Sequence, residues 1–223
     1  MIAAKDHISL GNGIYTVPDL ALILQLPQPK VRRWLTDFYD QRLAGDKGSY
    51  SWGEGKDRAT NFLTLIEFYI FYMLREQKIG AGKILEAHKH MSKELKTPYP
   101  FASYKLLVNK KGILYEVNSD TWVHADKSNQ IIIHKLIEDF FKKIDFSDNA
   151  LAKRFWPLGK NHSIVVDPHH QFGQPVINGT NINAATLFSM YQSGEPLSTI
   201  GILYDLTEEQ VNDAIAFCKR KAA

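Results

Sequence analysis

The sequence has little cysteine and no long apolar run, and both absences restrict its function. Its 223 residues include one cysteine, Cys218, so an internal disulfide is excluded. The longest apolar run, Phe62 to Leu74, is interrupted by Glu67 and is shorter than the ~20 residues that a bilayer-spanning helix needs. Residues Met1 to Leu10 carry charged side chains where a secretion signal has its apolar core. We therefore expect a cytoplasmic protein without a membrane partner, in which Cys218 is a small buried apolar side chain.

The signatures of catalysis are also missing. The sequence has no glycine-rich phosphate loop that ends in lysine and serine or threonine, and no nucleophile elbow around a serine. His162, His169 and His170 lie close together, but no cysteine or acidic residue has the spacing of a closed metal site around them. We interpret these histidines as surface or capping residues. We expect no catalytic residues, no cofactor and no metal, and thus a protein that is not an enzyme.

The net charge is small, but it is distributed unevenly along the chain. Lysine and arginine number 27 against 24 acidic residues, which gives +3. Residues 1–100 hold 14 basic and 11 acidic side chains, residues 101–159 hold 9 and 7, and residues 160–223 hold 4 and 6. The N-terminal part is therefore better suited to an anionic partner than the C-terminal part is.

Residues Tyr15 to Leu43 have the pattern of two short helices separated by a tight break. Thr16 is a typical helix N-cap, and Pro18 is tolerated in a first turn. The prolines of the segment Leu26 to Pro29 end the first helix. The second helix pairs a basic face with an apolar stripe formed by Val31, Trp34, Leu35 and Phe38. Two short helices of this kind predict a helix-turn-helix.

A glycine-rich segment, Ala44 to Arg58, follows the two helices. Glycine at this density breaks a helix. The short aromatic stretch Tyr50 to Trp52 favours a small β-hairpin, or wing, with a flexible loop as the alternative. Two further helices are predicted over Phe62 to Gln77 and over Ala81 to Leu95.

Basic side chains lie at the start of the second helix and in the predicted wing. Side chains at the N-terminal end of a recognition helix reach base edges, while wing residues neutralise phosphates. Val31 and Trp34 fall on the apolar stripe and are predicted to be core. The alternative is a basic face that is simply solvated, but the preceding helix and turn favour DNA binding. The predicted DNA-binding residues are Gln28, Lys30, Arg32, Arg33, Lys47, Lys56 and Arg58.

The rest of the chain divides into a middle region, residues 101–160, and a C-terminal module, residues 161–223, after an N-terminal domain of residues 1–100. The middle region is predicted to contain a hairpin that turns at Asn109 to Gly112 and an amphipathic helix over Gln130 to Lys143. That helix is one candidate dimer interface, and the extended runs near Val165 and Val176 are the other. Three helices are predicted in the module, over Asn183 to Gln192, Ser198 to Tyr204, and Thr207 to Lys221.

These elements define the predicted fold class, which is mainly α (α+β). It consists of an N-terminal winged helix-turn-helix, a small mixed α/β middle region and a C-terminal three-helix module that itself has the shape of a helix-turn-helix.

Parts of the sequence resemble known bacterial families. The segment Tyr15 to Trp34 resembles the opening helix-turn-helix of the MerR class of winged regulators, and Phe62 to Ala102 is similar to its continuation in a group of MerR-like antitoxins. The series Ile164 to Pro168, Gly173 to Ile182 and Leu206 to Val211 is similar to a small antitoxin domain found beside toxins of the PIN ribonuclease type. Together these parts resemble the larger VapB-type antitoxins.

This resemblance implies the antitoxin of a type II toxin–antitoxin system. Such a protein neutralises a PIN-type ribonuclease toxin by direct binding and represses its own operon, and we expect a homodimer on double-stranded operator DNA. The small domain usually has an arginine where this chain has Asn181. With the net negative charge of residues 160–223, this difference assigns DNA contact to the N-terminal domain and protein contact to the C-terminal module.

Two other functions remain open at this point. One is a stand-alone MerR-like transcriptional regulator whose region Tyr104 to Lys143 binds a small-molecule effector. The other is a protein-interaction scaffold that does not bind DNA.

Overall fold

The computed structural model describes residues 12–44, 49–103, 106–109, 112–118, 121–124, 142–148 and 151–219. Helices and small antiparallel sheets make up these residues, so the fold is of the mixed α and β class that the sequence predicts. No helix in the described ranges combines the length and the apolar character that crossing a bilayer requires.

The N-terminal part begins with a short strand and two helices. Strand β1 (Tyr15–Thr16) leads into helix α1 (Val17–Leu24), and helix α2 (Gln28–Arg33) continues as a π-helical stretch (Trp34–Leu43). The Thr16 hydroxyl accepts a hydrogen bond from the Asp19 backbone N–H, and the Asp19 carboxylate accepts one from the Thr16 N–H. This capping box explains why α1 begins where the sequence predicts.

A small hairpin lies against this pair of helices. Strands β2 (Ser51–Trp52) and β3 (Ala59–Thr60) are antiparallel, and a 3₁₀ turn (Gly55–Asp57) lies between them. Strand β1 pairs with the other edge of β3, which gives the sheet order β1-β3-β2. The predicted hairpin is confirmed, and the third strand is an addition that sequence reasoning did not supply.

Three further helices complete the N-terminal part. These are α3 (Phe62–Glu76), α4 (Ala81–Leu95) and the short α5 (Pro100–Ser103). Asn61 caps α3 by accepting a hydrogen bond from the Thr64 backbone N–H. Buried aromatic rings fill the space between α3 and the π-helical stretch, and they include the predicted core residue Trp34, 4.8 Å from Phe71 between ring centroids.

Two separate sheets form the middle of the chain. Strands β4 (Leu106–Asn109), β5 (Gly112–Asn118) and β6 (Thr121–His124) form an antiparallel meander, of which β4 and β5 are the predicted hairpin. Strands β7 (Ile144–Phe146) and β8 (Ala152–Phe155) form a second antiparallel pair. The predicted helix over Gln130 to Lys143 lies outside the described residues, apart from Lys142 and Lys143, which are in a turn.

The C-terminal module packs three helices beside one short strand pair. The pair consists of β9 (Ile164–Val165) and β10 (Val176–Ile177), and the helices are α6 (Ala184–Gln192), α7 (Leu197–Tyr204) and α8 (Glu208–Lys219). A capping box precedes α8, because the Gln210 N–H donates to the Thr207 hydroxyl and the Thr207 N–H donates to the Gln210 side chain. The predicted helices of the module are therefore present.

One hydrophobic core runs through all three predicted domains. Tyr69 of α3 packs against Phe155 of β8 with 4.8 Å between ring centroids. The Ile14 backbone N–H donates to the Phe172 carbonyl, and Gly173 lies against the buried ring of Tyr15. The N-terminal part and the C-terminal module are thus packed against each other, and the division at residues 100 and 160 stays a prediction.

Candidate nucleic-acid interface

The predicted DNA-binding side chains of α2 lie at its solvent side. Gln28, Arg32 and Arg33 are exposed, whereas Lys30 is half-buried. The Lys30 ammonium lies 5.1 Å from the Trp34 ring centroid and 5.5 Å from that of Tyr72. These aromatic faces attract the cation and hold its stem against the core. Arg32 and Arg33 therefore project further from the core than Lys30 does.

A hydrogen bond joins α2 to the hairpin. The Arg32 guanidinium donates to the Gly55 carbonyl oxygen at 2.7 Å. Gly55 has φ +56°, a left-handed conformation that glycine adopts without strain. The exposed Lys56 follows directly, so the chain brings the cations of α2 and of the hairpin tip to one surface. Below, this surface, formed by Arg32, Arg33 and Lys56, is called the basic surface.

Arg58 has a different environment from the other predicted residues. Its guanidinium donates to Asp40 at 2.8 Å and to the Ser51 hydroxyl at 3.0 Å. Asp40 also accepts hydrogen bonds from the backbone N–H groups of Tyr50 and Ser51. Asp40 therefore holds both strands of the hairpin, through the backbone at the start of β2 and through Arg58, which directly precedes β3. These contacts give Arg58 a role in positioning the hairpin.

Two further cations, Lys47 and Arg42, are not part of the basic surface. Lys47, the remaining predicted residue, lies outside the described residues. Arg42 is exposed on the π-helical stretch, with its guanidinium 5.3 Å from the Phe38 ring centroid, and the sequence reasoning did not include it. Asp40 was also missed, because its partners Ser51 and Arg58 are distant in sequence and no local pattern joins them.

A buried polar cluster supports the helices behind this surface. Glu67 of α3 is fully buried; its Oε1 accepts hydrogen bonds from the Phe101 and Ala102 backbone N–H groups at 2.7 and 3.2 Å, and its Oε2 lies 2.9 Å from His88 Nε2. Burial, with the nearby Glu67 carboxylate, raises the pKa of Tyr39 well above its usual range. Glu67 thus joins α3 to α4 and caps α5.

Two of the three histidines named from the sequence, His162 and His169, lie beside a carboxylate of the C-terminal module. His162 Nδ1 lies 2.7 Å from the carboxylate of Asp213, which also accepts a hydrogen bond from the Ser163 backbone N–H. His169 and His170 are exposed. Across the ranges that the structure describes, no three or more His, Cys, Asp or Glu side chains are grouped as ligands for a metal ion.

The single cysteine, Cys218, lies in the last helix of the C-terminal module. Cys218 is half-buried, and burial raises the pKa of its thiol to about 11, so the reactive thiolate is scarce near neutral pH.

Val165 and Val176, of β9 and β10, are the second candidate dimer interface, and both are buried with Trp156. Their side chains are therefore covered within the monomer, and dimerisation stays a prediction.

Comparison with known proteins finds similarity over two different spans. Residues 164–218 match the model of a family described as "Protein of unknown function (DUF433)". The match begins at β9 and includes helices α6 to α8. Over 91% of its length, the chain is 22% identical to a Mycobacterium tuberculosis (strain ATCC 25618 / H37Rv) protein named "Putative antitoxin VapB45", of which it covers 92%.

A solved structure has a similar fold. The X-ray crystal structure of Rv2018 from Mycobacterium tuberculosis superimposes with a TM-score of 0.67 at 16% sequence identity. The similarity covers 94% of this chain and 99% of that one. The order of the N-terminal helices, the small sheets and the C-terminal module is therefore an arrangement that a crystal structure also has.

Proposed function

We propose that this chain is the antitoxin of a type II toxin–antitoxin system. It binds and neutralises a PIN-type ribonuclease toxin, and it represses its own operon by binding operator DNA as a homodimer. The observation that carries the proposal is the similarity to a protein named as an antitoxin over 91% of this chain and 92% of that protein. The family match of residues 164–218 supports the proposal further. This is the stretch whose own sequence resembles a small antitoxin domain, and that resemblance does not depend on the N-terminal helices.

In this proposal the N-terminal part is a MerR-like winged helix-turn-helix. Helix α2 is the recognition helix, and the hairpin β2–β3 is the wing. The shared exposure of Arg32, Arg33 and Lys56 supports this assignment, because three cations on one surface suit contact with successive phosphates. Gln28 and Lys30 lie near the N-terminal end of α2, which is the end that reaches base edges in such complexes.

Removing two cations of the basic surface is expected to weaken operator binding. In each protomer the variant Arg33→Ala/Lys56→Ala loses two phosphate contacts, and each lost contact makes the negative slope of log affinity against log salt shallower by about 1. The measurement is a fluorescence-anisotropy titration on a duplex from the chain's own promoter region, repeated at several salt concentrations. An unchanged salt slope would contradict the placement of the interface.

A matched control separates this effect from the general loss of charge. Lys89 and Lys93 are exposed on α4 and are not part of the basic surface, and the variant Lys89→Ala/Lys93→Ala also removes two positive charges. It is expected to retain the wild-type salt slope. Arg58→Ala serves as a second comparison, because the loss of the guanidinium that pairs with Asp40 also predicts a less stable hairpin.

The toxin-binding half of the proposal is tested by co-purification. The product of the gene next to this chain's own is co-expressed with the tagged full-length chain, and we expect the two to elute together from a size-exclusion column. Separate elution at micromolar concentrations would remove this half of the proposal and leave operator binding as the function to test.

A further inference from the structure

The outer face of α7 exposes two large apolar side chains. Ile202 is 82% exposed and Leu203 is 62% exposed, whereas the neighbouring Ile200 and Gly201 are buried. A Cβ atom on Gly201 would lie 2.9 Å from the Leu206 carbonyl oxygen, so α7 packs closely against the connection to α8. This close approach fixes the rotation of α7 about its axis. Ile202 and Leu203 are therefore held outward by the packing of the module.

Carboxylates precede and follow this apolar pair along the chain. Glu195 precedes α7, Asp205 ends it, and Glu208 and Glu209 begin α8; all four are exposed. The described residues 161–219 contain six acidic side chains and one basic side chain, Lys219, whose ammonium lies 4.2 Å from the Tyr191 ring centroid and 2.9 Å from its hydroxyl oxygen. The field around the pair is consequently negative and repels nucleic acid.

We propose that this α7 patch, formed by Ile202 and Leu203 together with the neighbouring exposed carboxylates of Glu195, Asp205, Glu208 and Glu209, is the surface that docks the toxin. The proposal rests on the proposed antitoxin function and assigns its protein contact to particular side chains. The complementary surface on the toxin is an apolar pocket bordered by lysine or arginine. The apolar side chains supply affinity, and the acidic side chains select the partner and speed association.

Charge argues against a second copy of this chain as the occupant. In a two-fold symmetric dimer each patch meets its own counterpart. Such a contact would bring two sets of four carboxylates together, and like charges across an interface are unfavourable. A partner with a basic border removes that repulsion.

The test compares three forms of the full-length chain. The double variant Ile202→Ser/Leu203→Ser removes the apolar pair, and Phe172→Ser removes another exposed apolar side chain that is not part of the patch. Each is titrated by calorimetry against the purified product of the neighbouring toxin gene. We expect the double variant to bind roughly 100-fold more weakly or worse, since each buried aliphatic side chain contributes about 10-fold or more in affinity. Phe172→Ser is expected to bind like the wild-type chain.

The outcomes separate this proposal from the one on which it rests. Equal toxin affinity of the double variant and the wild-type chain would overturn the α7 patch while leaving antitoxin function intact. A loss of dimerisation in the double variant, with unchanged toxin affinity, would assign the patch to a second copy and overturn it as well. The absence of any complex with the wild-type chain would overturn both proposals. If the double variant unfolds, the single variant Ile202→Ser is measured in the same way.

Discussion

Replacing Gly173 by alanine is expected to destabilise the protein by about 2–5 kcal/mol. Gly173 has φ +87°, a conformation that costs an L-residue roughly 1–2 kcal/mol. The new Cβ would also lie 2.0 Å from the Tyr15 hydroxyl oxygen and 2.6 Å from its Cζ. Because the Tyr15 ring is fully buried, it has no free space to enter, and such overpacking costs about 1–3 kcal/mol more. The measurement is thermal unfolding followed by circular dichroism.

Gly179 provides the control for this variant. Its φ is +79°, but an added Cβ would meet no atom within 4 Å. Gly179→Ala is therefore expected to show the conformational cost alone. The double variant Tyr15→Phe/Gly173→Ala should recover part of the loss, because it removes the nearest atom. Equal melting temperatures of Gly173→Ala and Gly179→Ala would contradict the packing of β1 against the C-terminal module.

Replacing Glu67 by alanine is expected to cost about 3–5 kcal/mol. The change leaves His88 without its buried partner and deprives the Phe101 and Ala102 N–H groups of their acceptor. For a chain of this size, that loss corresponds to a fall in melting temperature of roughly 6–20 °C. Differential scanning calorimetry measures the change directly.

Two further variants separate the roles of the Glu67 carboxylate. Glu67→Gln retains a side-chain oxygen for the two N–H groups and nearly the same volume, so we expect it to lose less stability than Glu67→Ala. Glu76→Ala removes an exposed carboxylate from the same helix and is expected to change stability by less than about 0.5 kcal/mol. A Glu67→Ala protein as stable as the Glu76→Ala protein would show that the buried cluster contributes little.

Much of the helical structure was predictable because its signals are local. Thr16 and Asp19 are three residues apart, as are Thr207 and Gln210, and both pairs form the capping boxes that begin their helices. Glycine and aromatic content predicted the hairpin at Tyr50 to Trp52 for the same reason. The fold class followed from these elements.

The tertiary connections were not predictable, since they join residues far apart in sequence. Glu67 was visible only as an interruption of an apolar run, and nothing in the sequence connected it to His88. Asp40 and Arg58 are 18 positions apart, and their ion pair gives Arg58 a role beyond the predicted phosphate contact. The pairing of β1 with β3 likewise joins Tyr15 to Thr60. Long-range contacts of this kind need the three-dimensional structure.

The candidate interface was predicted in part. Composition and spacing predicted the cations of α2 and of the hairpin. In the structure Arg32, Arg33 and Lys56 are exposed, and the Arg32 hydrogen bond to Gly55 joins α2 to the hairpin. The sequence could not separate these from Lys30, whose ammonium lies over two aromatic rings. It also gave no indication of the α7 patch, because Ile202 and Leu203 have the residue types of an ordinary helix core.

Neutralisation of the toxin in cells tests the central claim most directly. The neighbouring gene product is expressed from an inducible promoter, with or without the full-length chain from a second promoter, and growth and cleavage of cellular RNA are followed. The antitoxin account predicts arrested growth and RNA cleavage with the toxin alone, and the restoration of growth with intact RNA when the chain is present. Continued arrest and cleavage in the presence of the folded, soluble chain would contradict it.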